Sequence, residues 1–426
     1  MKTDNKQKNW YKLDNAAKIF PGQSSKTWSN IFRISVVIDR NVDPVLLEKS
    51  LKQTLKRFPC LKVKLKNGLF WHYLVENELD APPVMEDINN PCHRVNKHEN
   101  DGFLFRIYYR ANRISIDLYH VLSDGYGCAI FIFSLIGQYY RLLGENIPFN
   151  EFVLDVENTE ATAEETEDSF LKYATSKAKY KRLDKHVYHP DGTKLPAHMV
   201  NIISGTVSFK ELHKITVEKD VTVTEYIAAL LLKIHIEKQK KERRKQKEVC
   251  IQVPINLRKT FGAHTLRNFS ICLRVKIDPN RGEYSFDELL KLTALQLRLA
   301  NNRNDMNMMI TANTKLERNK FLKYTPLFIK DFGIKISFLL TGEETTTSLL
   351  SNIGYISLPE ELSKHIEKCT LMPGPGLKNP ARIGLATTND NLTFTFASFQ
   401  KECDIQRDFF TFLVKQGLNV KIESNK

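Results

Sequence analysis

From Cys128 to Ile136 the chain reads CAIFIFSLI, in which only Ser134 is polar. A helix from about Tyr126 to Leu143 is therefore apolar almost all round, through Ile130, Phe131, Ile132, Phe133, Leu135 and Ile136, and has to be buried between layers. Gln138 and Arg141 keep the run well short of a membrane span. A strand-like segment, Ile114–Tyr119, ends at His120 just before this helix, and the loop Val121–Gly125 joins the two. The sequence thus fixes a strand, a tight turn and a fully buried helix in direct succession.

The alternation continues along the chain. Ile31–Ile38 (IFRISVVI) reads as a strand. Asp43-Pro44 then opens a helix, with Asp as N-cap and Pro at the first helical position. Leu47, Leu51, Leu55 and Phe58 share one face of it, and Pro59 ends it. Strands at Leu61–Leu65 and Leu69–Val75 flank an Asn67-Gly68 hairpin turn. Phe103–Tyr109 and Ile114–Tyr119 flank a second hairpin. From Glu145 to about Lys194 the pattern weakens, acidic residues around Glu160–Asp168 giving way to a basic stretch near Lys177–Lys185; this reads as a crossover carrying one helix. Beyond it come a strand near Met199–Phe209 and a long helix capped by Thr224 and filled by Ile227, Leu230, Leu231 and Ile234. Strands at Val249–Pro254, Ser270–Ile277 and Leu349–Ser357, a hairpin of Ile383–Thr387 with Leu392–Phe399, and helices near Phe286–Leu299 and Ile405–Gln416 complete the pass. At 426 residues the chain exceeds one ordinary core. The pattern predicts an α/β (α+β) architecture of two lobes, residues 1–160 and 195–426, joined by a crossover over 161–194.

Composition narrows the function classes. Hydrophobic residues at 42% and charged residues at 26% argue against disorder. A net charge of +14 suits nucleic acid, an anionic surface or a polyanionic small molecule. The densest basic run, Lys238–Lys247, has no interleaved aromatic residues to stack on bases, so it reads as a solvated helix end and nucleic acid is not expected. Seven cysteines without a CxxC or a pairing pattern read as reduced and packed. The polar N-terminus and the lack of a transmembrane segment lead to the expectation of a cytoplasmic protein.

Chemistry concentrates at Tyr119-His120-Val121-Leu122-Ser123-Asp124-Gly125-Tyr126-Gly127. A histidine at the end of a buried strand is held rigidly yet can open on a cleft, and imidazole titrates near the operating pH, as proton abstraction from a hydroxyl requires. Asp124 can fix the turn or pair with a distant cation. Gly125 lets the chain leave the turn without steric cost and offers a backbone N–H as an oxyanion donor. HxxxD alone is weak; HxxxDG at a strand-to-helix junction is far rarer, and no other histidine here has Asp at the fourth position. The structural alternative is a core histidine hydrogen-bonded across strand ends. Gly125-Tyr126-Gly127 lacks the third glycine of a dinucleotide fingerprint, position 130 being Ile. Met372-Pro373-Gly374-Pro375-Gly376 reads as a loop stiffened by proline. No HExxH, GxSxG or metal-ligand spacing appears; His186, His189 and His198 read as surface histidines, and no metal is expected.

HVLSDG at 120–125 resembles the HxxxDG signature of the chloramphenicol acetyltransferase-like superfamily, which includes peptide-synthetase condensation domains, plant BAHD acyltransferases, polyketide-associated acyltransferases and alcohol acetyltransferases. Three further segments agree in order. Val253-Pro254-Ile255-Asn256-Leu257-Arg258 resembles the PVNLR segment of the alcohol acetyltransferase-like branch. Thr265–Phe269 resembles the GNF strand start of condensation domains, and Ser351-Asn352-Ile353-Gly354 with Leu358-Pro359 resembles the SNxG…LP strand. The resemblance covers residues 10–418 and is closest to bacterial alcohol acetyltransferase-like proteins. Tyr119 stands where condensation domains carry a first histidine. Asp331-Phe332-Gly333, followed by Ile334 and Lys335, does not continue as the DFGWG of BAHD enzymes.

The resemblance implies two such lobes, each a two-layer sandwich, forming a pseudo-dimer with a channel between them, and makes Met372–Gly376 an inter-lobe crossing. It implies that His120 deprotonates an alcohol or amine acceptor as that acceptor attacks a thioester carbonyl. It also implies that Asp124 points away in a structural salt bridge, with Arg258 as the partner, and that Gly125 opens the helix beside the site. Tyr119, Ser123, Asn268, Ser351 and Asn352 are the candidates for lining the channel. The expected activity is an acyltransferase using acyl-CoA as co-substrate, with an acetyl group among those it can carry and no tightly bound cofactor. The rivals are a stand-alone condensation-type enzyme fed by an acyl carrier protein and a non-catalytic binding module on the same fold.

Overall fold

A computed structural model describes all residues except 1–8, 26–27, 88–90, 94–99, 178–184, 197–198, 243–244 and 426. His198, much of the basic stretch near Lys177–Lys185 and part of the Lys238–Lys247 run lie outside the described residues.

Two main sheets, each with its own apolar core, organise the described residues. The first runs, in spatial order, Ile366–Met372, Ile31–Ile38, Arg113–Tyr119, Phe105–Arg110 and Val84–Glu86. The second runs Ser270–Ile277, Val249–Asn256, Ser348–Tyr355, Arg382–Thr388, Asn391–Ser398, Asn201–Ser208 and Lys421–Ser424. A small third sheet joins Trp10–Lys12, His72–Glu76 and Val63–Asn67. Ile366–Met372 comes from the distal part of the chain yet pairs antiparallel with Ile31–Ile38 in the first sheet, so the later span is not confined to one sheet. The Met372–Gly376 segment then leads back: Trp28 Nε1 donates to Pro375 O at 2.8 Å, and a Cβ on Gly374 would stand 2.4 Å from Ile31 O.

The buried helix spans Gly125–Leu142, with every residue from Gly127 to Tyr140 buried. It packs against Pro44–Arg57, whose Leu47, Leu51 and Leu55 are fully covered, as is Phe58 just beyond it. Ser50 Oγ, donating to Leu135 O at 2.8 Å, ties the two helices without leaving a buried hydroxyl unpaired. Asp43 caps the second helix by accepting from the Val45 and Leu46 amides.

Several elements differ from the sequence reading. The Asn67-Gly68 turn is instead a four-residue loop, because Asn67 pairs with His72. The helix expected to be capped by Thr224 spans Val223–Lys241 and is capped by Thr222: its hydroxyl accepts from the Glu225 amide and the Glu225 carboxylate accepts from the Thr222 amide. That reciprocal box needs Glu three residues after the cap, which Thr222 has and Thr224 lacks. The crossover carries two short helices, Ala163–Thr166 and Ser169–Tyr173, rather than one. Arg303–Arg318 and Leu327–Ser337 are helices that periodicity did not reveal, the first rich in Asn and Thr, the second apolar on several sides and containing Gly333. Among the described residues no helix is long and apolar enough to cross a membrane.

Candidate active site

His120 follows the last residue of strand Arg113–Tyr119, and its amide donates to Asn30 O at 2.9 Å, continuing the pairing with the neighbouring strand. The chain turns through Val121–Ser123 and enters the buried helix at Asp124. Ser123 is buried and its hydroxyl donates to Leu266 O, which pins the turn to the second lobe. Gly127 meets the same carbonyl: a Cβ there would stand 2.2 Å from Leu266 O. The glycine with a steric reason to be glycine is therefore Gly127. A Cβ at Gly125 would come no nearer than 3.5 Å to Ile353, and Gly125 adopts no left-handed backbone. As the first residue of the helix, Gly125 still presents an N–H with no acceptor inside the helix.

Asp124 is the N-cap, accepting from the Gly127 amide at 3.1 Å. Its carboxylate also takes both terminal nitrogens of Arg258, at 2.9 and 3.0 Å, and the Phe269 amide at 2.9 Å. Burial alone pushes this carboxyl up, and the Arg258 guanidinium together with the two amides more than offsets it, leaving Asp124 below the usual carboxylate range. Arg258 spends its remaining donors on Thr265 O, Arg267 O and Asn256 Oδ1. It opens the short helix Arg258–Phe261, which closes on Gly262 in the left-handed region at φ 67°. The pair is thus a buried, fully hydrogen-bonded clamp between segments 134 residues apart. Both residues border the cavity between the lobes, but the carboxylate is spent on the guanidinium and two amides and offers no free base.

His120 itself is held differently. Its Nδ1 lies 2.9 Å from Asn268 Oδ1, while Asn268 Nδ2 donates to His120 O at 2.9 Å and to Asp14 Oδ2 at 3.0 Å. Two acceptors fix the amide end of Asn268, so its oxygen faces the imidazole and Nδ1 has to be the donor. In the neutral ring the lone pair is then on Nε2, for which no hydrogen-bond partner is found among the described residues. Phe20 and Phe32 flank the ring with centroids 5.0 and 4.9 Å away. Asp14 is fully buried; burial raises its carboxyl above the usual range despite Arg267, whose Nη2 lies 3.6 Å from Asp14 Oδ2.

A cavity of about 1530 Å³ lies between the lobes. His120, Phe20, Phe32 and Gly125 line it from the first; Asn256, Asn268, Ser351 and Asn352 line it from the second, and Pro373 and Gly374 of the crossing segment close it. Asn352 is braced by donating to Thr224 Oγ1 at 3.0 Å and accepting from the Gly354 amide at 2.8 Å. Two of the sequence candidates do not line it. Tyr119 faces the opposite side of its strand from His120, packs into the first core and shares a hydrogen bond with Ser24 at 3.2 Å. Ser123 is consumed in the turn. Asp14, Phe20 and Phe32 were missed. Asp14 carried one legible signal, an Asx residue ahead of Ala16-Ala17, and it does cap that turn, accepting from the Ala17 amide at 2.8 Å. No cluster of His, Cys, Asp or Glu able to hold a metal occurs among the described residues. His186 is exposed and His189 sits beside Glu344.

Comparison with protein-family models finds no match, and neither does comparison with curated proteins. Solved structures do match over almost the whole chain. Polyketide synthase associated protein 5 from Mycobacterium tuberculosis is 15% identical with a TM-score of 0.57, covering 95% of this chain and 97% of that one. The F. sporotrichioides TRI101 structure complexed with coenzyme A and T-2 is 12% identical with a TM-score of 0.61, covering 97% and 99%. The starter condensation domain of rhizomide synthetase RzmA, in complex with C8-CoA and Leu-SNAC, is 12% identical with a TM-score of 0.60, covering 95% and 93%. At such identity the likeness is one of fold. The chain shares the mixed α/β, two-lobed fold of these structures, with the cavity lying between its lobes.

Proposed function

We propose that this protein is an acyltransferase that moves an acyl group from acyl-CoA to an alcohol or amine, with His120 as general base. The observation that carries the reading is the imidazole at the inter-lobe cavity, its Nδ1 committed to Asn268 and its Nε2 left as the acceptor. An acceptor O–H or N–H within reach of Nε2 loses its proton as its heavy atom attacks the thioester carbonyl. The proton stays on Nε2 until the thiolate leaves and takes it. No covalent acyl-enzyme is required, and the Gly125 N–H is the candidate donor to the oxyanion.

Asp124 and Arg258 serve as the clamp that holds the turn, and Ser351, Asn352 and Asn268 shape the channel. The cavity exceeds the roughly 300–1,000 Å³ of a single small-ligand pocket, so donor and acceptor can meet inside it. Lys18, Arg274 and Lys276 line it too, beside the acids Asp305, Glu317 and Glu343; Lys18 is paired with Glu317, so Arg274 and Lys276 are the cations suited to the phosphates of coenzyme A. The TRI101 structure holds coenzyme A, and the RzmA starter condensation domain holds C8-CoA. Among branches of the superfamily, the PVNLR-like segment ending in Arg258 favours the alcohol acetyltransferase-like one; a carrier-protein thioester is the rival donor.

The test is release of free thiol from acyl-CoA in the presence of a panel of alcohols and amines. Acceptor-dependent release is the expected result. Release only from a carrier-bound thioester would move the reading to a condensation-type enzyme, and no release from either would leave a binding module.

A further inference from the structure

We infer that the 321–340 segment is a docking surface for an anionic lipid bilayer. Its helices Lys320–Tyr324 and Leu327–Ser337, with the turn Phe338–Gly342, form part of the cavity wall: Leu322, Ile329, Ile334 and Phe338 face the inside. The outer face is equally apolar. Phe321, Phe328 and Phe332 are 89%, 74% and 65% exposed, and Tyr324, Leu339 and Leu340 stand out beside them. The 328, 332, 336 and 340 positions recur every four residues, so Phe328, Phe332, Ile336 and Leu340 form one stripe along the element. The loop of the small sheet extends it: the Leu327 amide donates to Leu69 O at 2.9 Å, and Leu69 is exposed. An exposed apolar patch of this extent marks an interaction surface.

Charge selects the occupant. Within 321–340 the sequence has Lys323, Lys330 and Lys335 against one acid, Asp331. Asp331 is engaged by His72 Nε2 at 3.1 Å, and Lys330 is turned inward, donating to Phe70 O at 2.8 Å. Lys323 and Lys335 therefore rim the aromatic stripe as exposed cations. Phenylalanine and leucine flanked by lysine is the composition of an interfacial helix, in which rings enter the headgroup region and cations meet anionic lipid. A second copy of the chain fits less well, because an isologous contact would gather the lysines of two identical patches into one interface while the one acid within 321–340, Asp331, is engaged by His72. This inference does not depend on the chemistry proposed for His120, and its readout is partition rather than turnover.

The test is flotation of the full chain with vesicles of phosphatidylcholine alone and of phosphatidylcholine mixed with phosphatidylglycerol. The chain is expected to float with the mixed vesicles, to float less with the neutral ones and to be released progressively by salt. Phe328→Ser combined with Phe332→Ser should weaken partition about tenfold or more. Lys323→Glu combined with Lys335→Glu should weaken binding to the mixed vesicles about tenfold and leave neutral vesicles little changed. Both pairs lie outside the cavity lining, so an unchanged melting temperature is expected. Failure of the chain to float with either vesicle, or retained partition in the phenylalanine variant, would overturn the inference. So would a wild-type dimer that the phenylalanine variant dissolves, since the patch would then be a contact between copies.

Discussion

The seam around His120 and the interior of the second lobe around His235 bury polar groups on opposite terms. At the seam the buried polar side chains of the clamp and of the His120 hydrogen-bond chain have partners: Asp124 with Arg258, Asn268 with His120 and Asp14, Ser123 with Leu266 O. His235, on helix Val223–Lys241, is fully buried, and neither ring nitrogen finds a partner among the described residues. Tyr188 is its neighbouring ring at 6.3 Å, and it does not line the inter-lobe cavity. Burial pushes its pKa down to about 3, with Lys238 and His189 acting in the same direction. The difference teaches that a buried imidazole becomes a candidate base only when one nitrogen is committed and the other opens on space. His235 has neither condition, and it behaves as an apolar ring that carries an acid sensitivity.

The largest effect expected from breaking this contrast is at the clamp. Asp124→Ala leaves a buried guanidinium without its anion and strips two backbone amides of their acceptor, turning a satisfied site into an unsatisfied one. The expected loss is about 3–5 kcal/mol of folding stability, read as a lowered denaturant midpoint. A variant as stable as the parent would show that the pair is not what holds the seam.

A smaller effect is expected at His235. Its folded pKa lies below the unfolded value near 6.5, so the neutral form is favoured in the fold and the unfolded chain binds the proton first. Stability from this residue is therefore intact above about pH 6.5 and is lost as pH falls toward 3, by about 1.4 kcal/mol per pH unit at most. His235→Leu should flatten that part of the stability–pH curve while leaving stability at neutral pH equal or slightly higher, since two unpaired nitrogens are removed. Denaturation of both proteins across the acid range checks this, and parallel curves would contradict it.

Much of this was legible in the sequence, and the residues say why. The strand Ile31–Ile38, the helix capped by Asp43 and the buried helix after His120 announce themselves through local rules: alternation, an Asp-Pro start and an unbroken apolar run. His120, Asp124 and Arg258 were found through segments whose order resembles a known superfamily. What stayed hidden depends on contacts between distant parts of the chain. Nothing in Leu13-Asp14-Asn15 says that it lies across the seam to brace Asn268, 254 residues away. The pairing of Ile366–Met372 with the first sheet is equally non-local, and the helix Leu327–Ser337 carries apolar residues on two faces, so its periodicity is blurred. The Thr222 cap is a different case: its Thr-x-x-Glu signal was present, and Thr224 stood two residues beyond it.

The central claim is that Nε2 of His120 takes the acceptor's proton. The measurement that tests it most directly is steady-state thiol release by His120→Ala beside the parent, with coenzyme A affinity and melting temperature recorded on the same preparations. The account predicts a fall in kcat of about 10²–10⁴-fold with affinity and melting temperature nearly unchanged. Turnover equal to the parent's in the folded variant would contradict it.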